Sequence, residues 1–281
     1  MSRTLTPRTL NRRQLITGAA ALTTLMTTPL TIQAQAAPDK TTTFLELKTY
    51  RLHNSDEAQA ARVSTYLETG LFPALTRAGA LSGGSVKPVA ALANLIGADG
   101  PYLVSIVQYA SLAAYQDTLA KLTADSAYIA AADKLSTGTG VPFVTIESTV
   151  LHSLAVMPQP EFLAADPAHP THVFELRTYQ SQSPSAVIKK AGMFNGGEIA
   201  IFQRLGMKPV FIGEAIIGPR LPNITYMLAF DSFATRESLW KNFGSDPAWK
   251  TLSAPPELKD SQIVANISNT ILRPLPFSPL R

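Results

Sequence analysis

One strand pattern occurs twice in this chain, and nothing else in the sequence constrains the fold as tightly. Leu45-Glu46-Leu47-Lys48-Thr49-Tyr50 returns 129 residues later as Phe174-Glu175-Leu176-Arg177-Thr178-Tyr179. A second register, Lys87 to Leu154 against Lys208 to Leu275, holds at an offset of 121 without a gap, and fourteen of its positions are identical. The identities include Lys87-Pro88-Val89 with Lys208-Pro209-Val210, Ile96-Gly97 with Ile217-Gly218, and Asp125 with Asp246. They fall where turns and strand ends restrict residue choice, which is what a duplicated fold retains.

Each copy reads as strand, helix, strand, strand, helix, strand. In the second copy residues 173–179 alternate with period two, Ser183-Pro184 opens a helix that Gly206 stops, and strands follow over 208–217 and 224–230. A second helix covers about 234–243. Asp246-Pro247 then starts a further turn carrying Trp249, because Asp accepts from free amides and Pro suits a first helical position. In the first copy Ser55-Asp56-Glu57 caps a helix whose Leu67, Leu71 and Leu75 recur every four residues. That copy is eight residues longer ahead of Lys87, mostly around 81–85.

The units span 44–154 and 172–281, joined by a Pro- and Ala-rich linker over 155–171. An element order of this kind gives a four-stranded antiparallel sheet with both helices on one face. The bare face needs cover. The expected fold is therefore α+β: two tandem ferredoxin-like βαββαβ units whose antiparallel sheets pack face to face as an α/β barrel.

The chain has 24 Lys plus Arg against 20 Asp plus Glu, but Arg3, Arg8, Arg12 and Arg13 all precede the first acid, Asp39. Without residues 1–36 the balance is 20 against 20, which removes the charge argument for a nucleic-acid partner. Residues 1–36 carry a basic start, an apolar stretch from Leu15 to about Met26 and an Ala34-Gln35-Ala36 cleavage pattern, the parts of a cleavable signal peptide. Asn11-Arg12-Arg13-Gln14-Leu15-Ile16 resembles a twin-arginine signal. The expected location is periplasmic or secreted after cleavage near Ala36, with a mitochondrial transit peptide as the alternative. The apolar stretch is too short for a stable membrane span. There is no cysteine, so disulfides, thiolate nucleophiles and cysteine metal sites are excluded.

Both Glu-Leu-Lys/Arg-Thr-Tyr strands, Gly206-Met207-Lys208-Pro209-Val210, Asp246-Pro247-Ala248-Trp249 and the tail Ile271 to Pro279 resemble the NIPSNAP family of the dimeric α/β-barrel superfamily. The resemblance covers 44–154 and 172–280 and is stronger in the second copy. In the first, Lys48 replaces Arg, Tyr128 replaces Trp and His152-Ser153 replaces Arg-Pro. The resemblance implies the barrel and is compatible with a homodimer. It implies no single reaction, because related barrels include oxygenases, isomerases, haem enzymes and binding proteins.

In a strand, alternate side chains point to opposite faces. Phe174, Leu176 and Thr178 are expected to meet the helices, which would send Glu175, Arg177 and Tyr179 into the barrel lumen opposite Glu46, Lys48 and Tyr50. These six are the candidate catalytic residues. Arg177 or Lys48 would hold an anionic or carbonyl oxygen, Glu175 or Glu46 would accept a proton, and Tyr179 or Tyr50 would donate a hydrogen bond. The competing reading is a cross-strand ion pair with tyrosine packing and no ligand.

Other chemistry is sparse. His169 and His172 stand three apart with no third ligand, so no metal site is expected. His53 reads as a solvated turn residue and His152 as a strand-edge polar group. No cofactor is indicated: a proximal histidine on a lumen-facing helix would point to haem, which stays open as an alternative, and neither first helix has one. Gly83-Gly84 and Gly196-Gly197 lack phosphate-loop spacing, and no Gly-x-Ser-x-Gly occurs. Trp240, Phe243 and Trp249 read as core. The functional expectation is a small, partly apolar ligand bound in the lumen, with cofactor-free oxygenase or isomerase chemistry. The alternative is a non-catalytic protein-interaction or scaffold module.

Overall fold

The computed structural model describes residues 42–54, 57–163 and 171–281. The expected signal peptide, the Ser55-Asp56 portion of the first helix cap, and His169 lie outside the described residues. Eight strands form the centre: β1 (Phe44–Arg51), β2 (Val86–Ile96), β3 (Tyr102–Tyr109), β4 (Thr145–Ser153), β5 (Val173–Gln180), β6 (Lys208–Ile217), β7 (Asn223–Phe230) and β8 (Asn266–Pro274). They close into a barrel in the order β1-β3-β2-β8-β5-β7-β6-β4, and each neighbouring pair is antiparallel. The sheet of one unit, β4-β1-β3-β2, joins that of the other through two hydrogen-bonded seams, β2 with β8 and β4 with β6. Closure leaves no unpaired strand edge.

The repeated residues mark repeated backbone irregularities. Each unit bulges at its proline, between Pro88 and Ala90 and between Pro209 and Phe211. A residue without an N–H is tolerated there. A Cβ on Gly97 would lie 2.6 Å from the Tyr102 hydroxyl, and one on Gly218, at φ +136°, would lie 2.9 Å from Thr149 Oγ1. Those contacts account for the two conserved strand-end glycines of the duplication.

The helices pack outside the barrel. In the first unit α1 (Gln59–Tyr66) passes through a π-helical turn, Leu67–Leu71, into α2 (Phe72–Ala80); α3 (Leu112–Ala124) and α4 (Ser126–Leu135) follow β3. In the second, α5 (Pro184–Met193) passes through the π-helical turn Phe194–Glu198 into α6 (Ile199–Arg204), and α7 (Phe233–Ser245), α8 (Pro247–Leu252) and α9 (Asp260–Ile263) follow β7. The extra length of the first unit lies mainly where α2 runs to Ala80 before Val86 opens β2, against Arg204 and Lys208 in the second. Ser183 caps α5 as the sequence predicts, but α1 starts after Ala58 at φ +51° with no side-chain cap, in place of the expected Ser55-Asp56-Glu57 cap. Ser111 and Ser232 accept from Ala114 and Thr235 amides, and Asp125 and Asp246 cap α4 and α8. Each capping aspartate also takes an arginine from the helical segment that precedes the second strand of its unit, Arg77 of α2 at 2.6 Å and Arg204 of α6 at 2.8 Å.

Three apolar layers result. The barrel interior holds residues such as Leu45, Val89, Ile106, Phe174, Val210 and Met227. Two further layers lie between sheet and helices, one per unit. Each large side chain fully removed from water in these layers contributes roughly 1.5–3 kcal/mol. One end of the barrel interior is plugged by Leu163 and Leu280, the latter 1% exposed, and His172 Nδ1 donates to the Arg281 carbonyl at 2.7 Å. No helix among the described residues is long and apolar enough to cross a membrane.

Candidate functional site

The face assignment expected from the sequence is reversed. Leu45, Leu47, Phe174 and Leu176 belong to the barrel interior, whereas Tyr50 and Tyr179 pack with the helices. Glu46, Lys48, Glu175 and Arg177 share the parity of those tyrosines, so all six candidates lie beneath the helices and not in the lumen. The physical reason is partner supply. The closed interior is packed with Val, Leu, Ile and Ala side chains that offer a charge nothing, while the helices carry groups that can hold one.

In the second unit Glu175 is 0% exposed and fully engaged. It accepts from Arg177 at 2.9 Å, from Arg236 at 2.5 and 3.0 Å, and from the Trp240 indole at 2.7 Å. Arg177 stacks on Trp240 at 4.3 Å and donates to the Tyr179 hydroxyl at 3.2 Å, which in turn accepts from Tyr226 at 2.9 Å. Burial works against the Arg177 charge, yet Tyr226, Tyr179 and Glu175 together hold it more firmly protonated than an ordinary arginine. Arg236 comes from α7, four residues before Trp240, and so shares the buried face of that helix. An arginine at that spacing from a core tryptophan was the sequence signal for an acid beneath the helix.

In the first unit Glu46 accepts from hydroxyls: Ser148 at 2.8 Å, Tyr109 at 3.3 Å and Tyr115 at 3.3 Å, with Lys48 at 3.4 Å. Burial, and then the charge of Glu46, push the Tyr109 phenol well above its ordinary range. Burial does the same to Tyr50. These six residues therefore form a polar layer between sheet and helices, in which each carboxylate oxygen of Glu46 and Glu175 has a hydrogen-bond partner.

The sequence reading also passed over a buried pair, Lys190 and Glu198. Their side chains are 1% and 2% exposed and meet at 3.0 Å. The ammonium lies 4.9 Å from the Phe194 ring, 5.1 Å from Tyr179 and 5.3 Å from Trp249. Burial raises the Glu198 carboxyl, and Lys190 pulls it back down. Trp240, Phe243 and Trp249 are packed on the second core layer, as their spacing predicts.

The open space is on the other side of the sheet. A cavity of about 640 Å³ occupies the barrel end opposite Leu280, between the β2–β3 and β6–β7 turns. Its floor is Leu47, Val104 and Leu176. Above them is a belt of hydroxyls in pseudo-symmetric pairs, Thr49 with Thr178 and Thr149 with Thr270. Arg51, Asp99, Glu147 and Arg220 stand at the rim. Arg51 is tied to Glu147 by two hydrogen bonds, at 3.0 and 3.2 Å. No residue of this cavity was a candidate in the sequence.

The histidines stand apart from it. His152 stacks on Phe44 at 4.7 Å and pairs with Thr42, and burial lowers its pKa. His53 meets Glu57 at 2.7 Å. Among the described residues no group of three His, Cys, Asp or Glu side chains is placed to hold a metal.

Comparison with known proteins fits this geometry. Residues 174–279, nearly the whole of the second unit, match the NIPSNAP family model. A candidate monooxygenase from Lactobacillus acidophilus superposes with a TM-score of 0.54 at 11% identity, over 83% of this chain and 94% of its own. A second, from Fusobacterium nucleatum, gives 0.51 at 10% identity, over 83% and 93%. At such identities the likeness shows the fold, an α/β barrel made of two units in one chain. A NIPSNAP family protein of unknown function from Agrobacterium tumefaciens is 24% identical over 42% of this chain and 100% of its own, with a TM-score of 0.35. No curated protein matches the sequence.

Proposed function

We propose that the open end of the barrel binds a small, partly apolar molecule, and that binding there is the chain's function. The carrying observation is the cavity of about 640 Å³, with an aliphatic floor, a hydroxyl belt and charged groups confined to the rim. A pocket of that size and layering buries an apolar body while a few polar groups fix its orientation. The lumen is thus the ligand site, with a different set of residues from the Glu-Arg-Tyr strands.

A cofactor-free oxygenase or isomerase reaction at this place would need a base facing the ligand. The acids that reach the cavity, Asp99 and Glu147, gather at the rim around Arg51. Retention of a ligand therefore fits the geometry better than turnover. Thr270→Trp would fill the cavity from a half-buried position without touching either helix layer. Ligand-observed NMR with benzyl alcohol and phenylacetamide should detect binding to the unmodified protein and none to Thr270→Trp, which loses the Tyr102 hydrogen bond but still unfolds cooperatively. Equal binding to both proteins would contradict the proposal.

A further inference from the structure

The two sides of the cavity rim are related by the duplication but not in charge. At the offset of 121, Asp99 corresponds to Arg220 and Glu147 to Ser268, while Arg51 stands at the place of Gln180 in the other β1-type strand. One side thus holds a guanidinium ringed by acids: Glu147 binds Arg51 directly, and Asp99 lies close enough to add to the pull on its proton. The other side holds Arg220, which donates to the Ser268 hydroxyl at 3.0 Å and pairs with no carboxylate among the described residues.

The backbone supports the same contrast. Arg220 sits at φ +63°, a left-handed conformation that residues other than Gly, Asn and Asp adopt rarely, and Asp99 takes φ +56° at the matching place. Such conformations persist where surrounding contacts impose them, and they concentrate at ligand sites. Here the Asn223 side chain imposes it, donating to the carbonyls of Pro219 and Arg220. The Asn223 carbonyl oxygen accepts from Thr225, whose hydroxyl meets that of Thr178 at 2.9 Å. A hydrogen-bonded run therefore connects the turn that aims Arg220 to the wall of the cavity.

From this we infer that the ligand is a monocarboxylate, with its anionic end on Arg220 and Ser268 and its apolar body on Leu47, Val104 and Leu176. The inference rests on the lumen-binding proposal above and adds the charge and the direction of entry. A guanidinium beside a hydroxyl matches a planar carboxylate. Arg220 is one guanidinium and balances one negative charge, so the second charge of a dianion such as a phosphate monoester would meet only the rim acids Asp99 and Glu147.

The test is calorimetry with two matched pairs, phenylacetate with phenylacetamide and hexanoate with hexanamide, on the unmodified protein, Arg220→Gln and Thr270→Trp. Each acid is expected to bind about tenfold more tightly than its amide, with the preference lost in Arg220→Gln and all binding lost in Thr270→Trp. Acid and amide binding equally, with both lost in Thr270→Trp, would overturn the monocarboxylate assignment and leave the lumen site standing. A preference that survives Arg220→Gln would also overturn it. Acid binding that survives Thr270→Trp would overturn the lumen site itself.

Discussion

Beneath the helices of the first unit Glu46 is held by Ser148, Tyr109 and Tyr115, while at the equivalent place in the second Glu175 lies between Arg177, Arg236 and the Trp240 indole. The contrast continues deeper in the layer. Counted from the π-helical turns, Lys190 and Glu198 of the second unit stand where the first has Val63 and Leu71, both buried. One backbone is thus sealed by aliphatic side chains in one copy and by an ion pair in the other. The fold does not require the charges. What it requires is that each polar group brought under a helix arrives with its partners.

The comparison can be broken most forcefully at Lys190 and Glu198. Glu198→Leu alone leaves the buried Lys190 ammonium with only the more distant Asp260 carboxylate, at 4.0 Å, and is expected to cost about 3 kcal/mol in urea unfolding. Lys190→Val combined with Glu198→Leu, which installs the first unit's solution, should recover most of that loss. A double variant as unstable as the single one would show that the two layers are not interchangeable. The pH dependence sharpens the same point. Burial raises the Glu198 carboxyl above 4.5, so the folded state holds its proton more tightly than the unfolded state does. The contribution is complete below that value and lost as pH rises through the raised one, a slope that the double variant should lack.

Smaller effects are expected at the strand glutamates. Glu175→Gln removes the charge that two guanidiniums share, at a cost of about 2–3 kcal/mol, because Arg177 and Arg236 keep some access to water. Glu46→Gln should cost about 1–2 kcal/mol, since hydroxyls can donate to an amide oxygen as well as to a carboxylate. The reverse order in chemical denaturation would contradict the division of partners described for the two units. The smallest difference is at the shared caps. The Tyr128 amide, then Arg77, hold the Asp125 carboxyl below 3.8, and Arg204, then the Trp249 amide, do so for Asp246. Each contributes stability above the ordinary carboxylate range and loses it as pH falls through the lowered value. Acid unfolding followed by circular dichroism should show Asp125→Asn and Asp246→Asn converging on the unmodified protein at low pH.

The parts of this architecture that were legible in the sequence are the local ones. Strand alternation, the Ser183, Asp125 and Asp246 caps and the duplication all follow from backbone rules acting over a few residues, whereas the Pro88 and Pro209 bulges and the uncapped start of α1 appear only in the structure. The orientation of β1 and β5 was not legible. Alternation separates Glu175 from Leu176 but does not say which of them faces a helix, and the deciding partner, Arg236, lies 61 residues away. The cavity was invisible for a related reason. Its floor and rim collect single residues from separate strands and turns, such as Leu47, Glu147, Leu176 and Arg220, and no spacing connects them.

The central claim is that ligand and polar layer occupy opposite faces of one sheet. It is tested most directly by measuring phenylacetate affinity and urea stability together in Thr270→Trp and in the Glu175→Gln/Arg177→Met double variant. The structure predicts that Thr270→Trp abolishes binding while still folding, at the cost of about 1 kcal/mol for the lost Tyr102 hydrogen bond, while the double variant loses more stability and keeps its affinity wherever it is folded. Lost affinity at full stability in the double variant, with binding intact in Thr270→Trp, would put the site beneath the helices and contradict the claim.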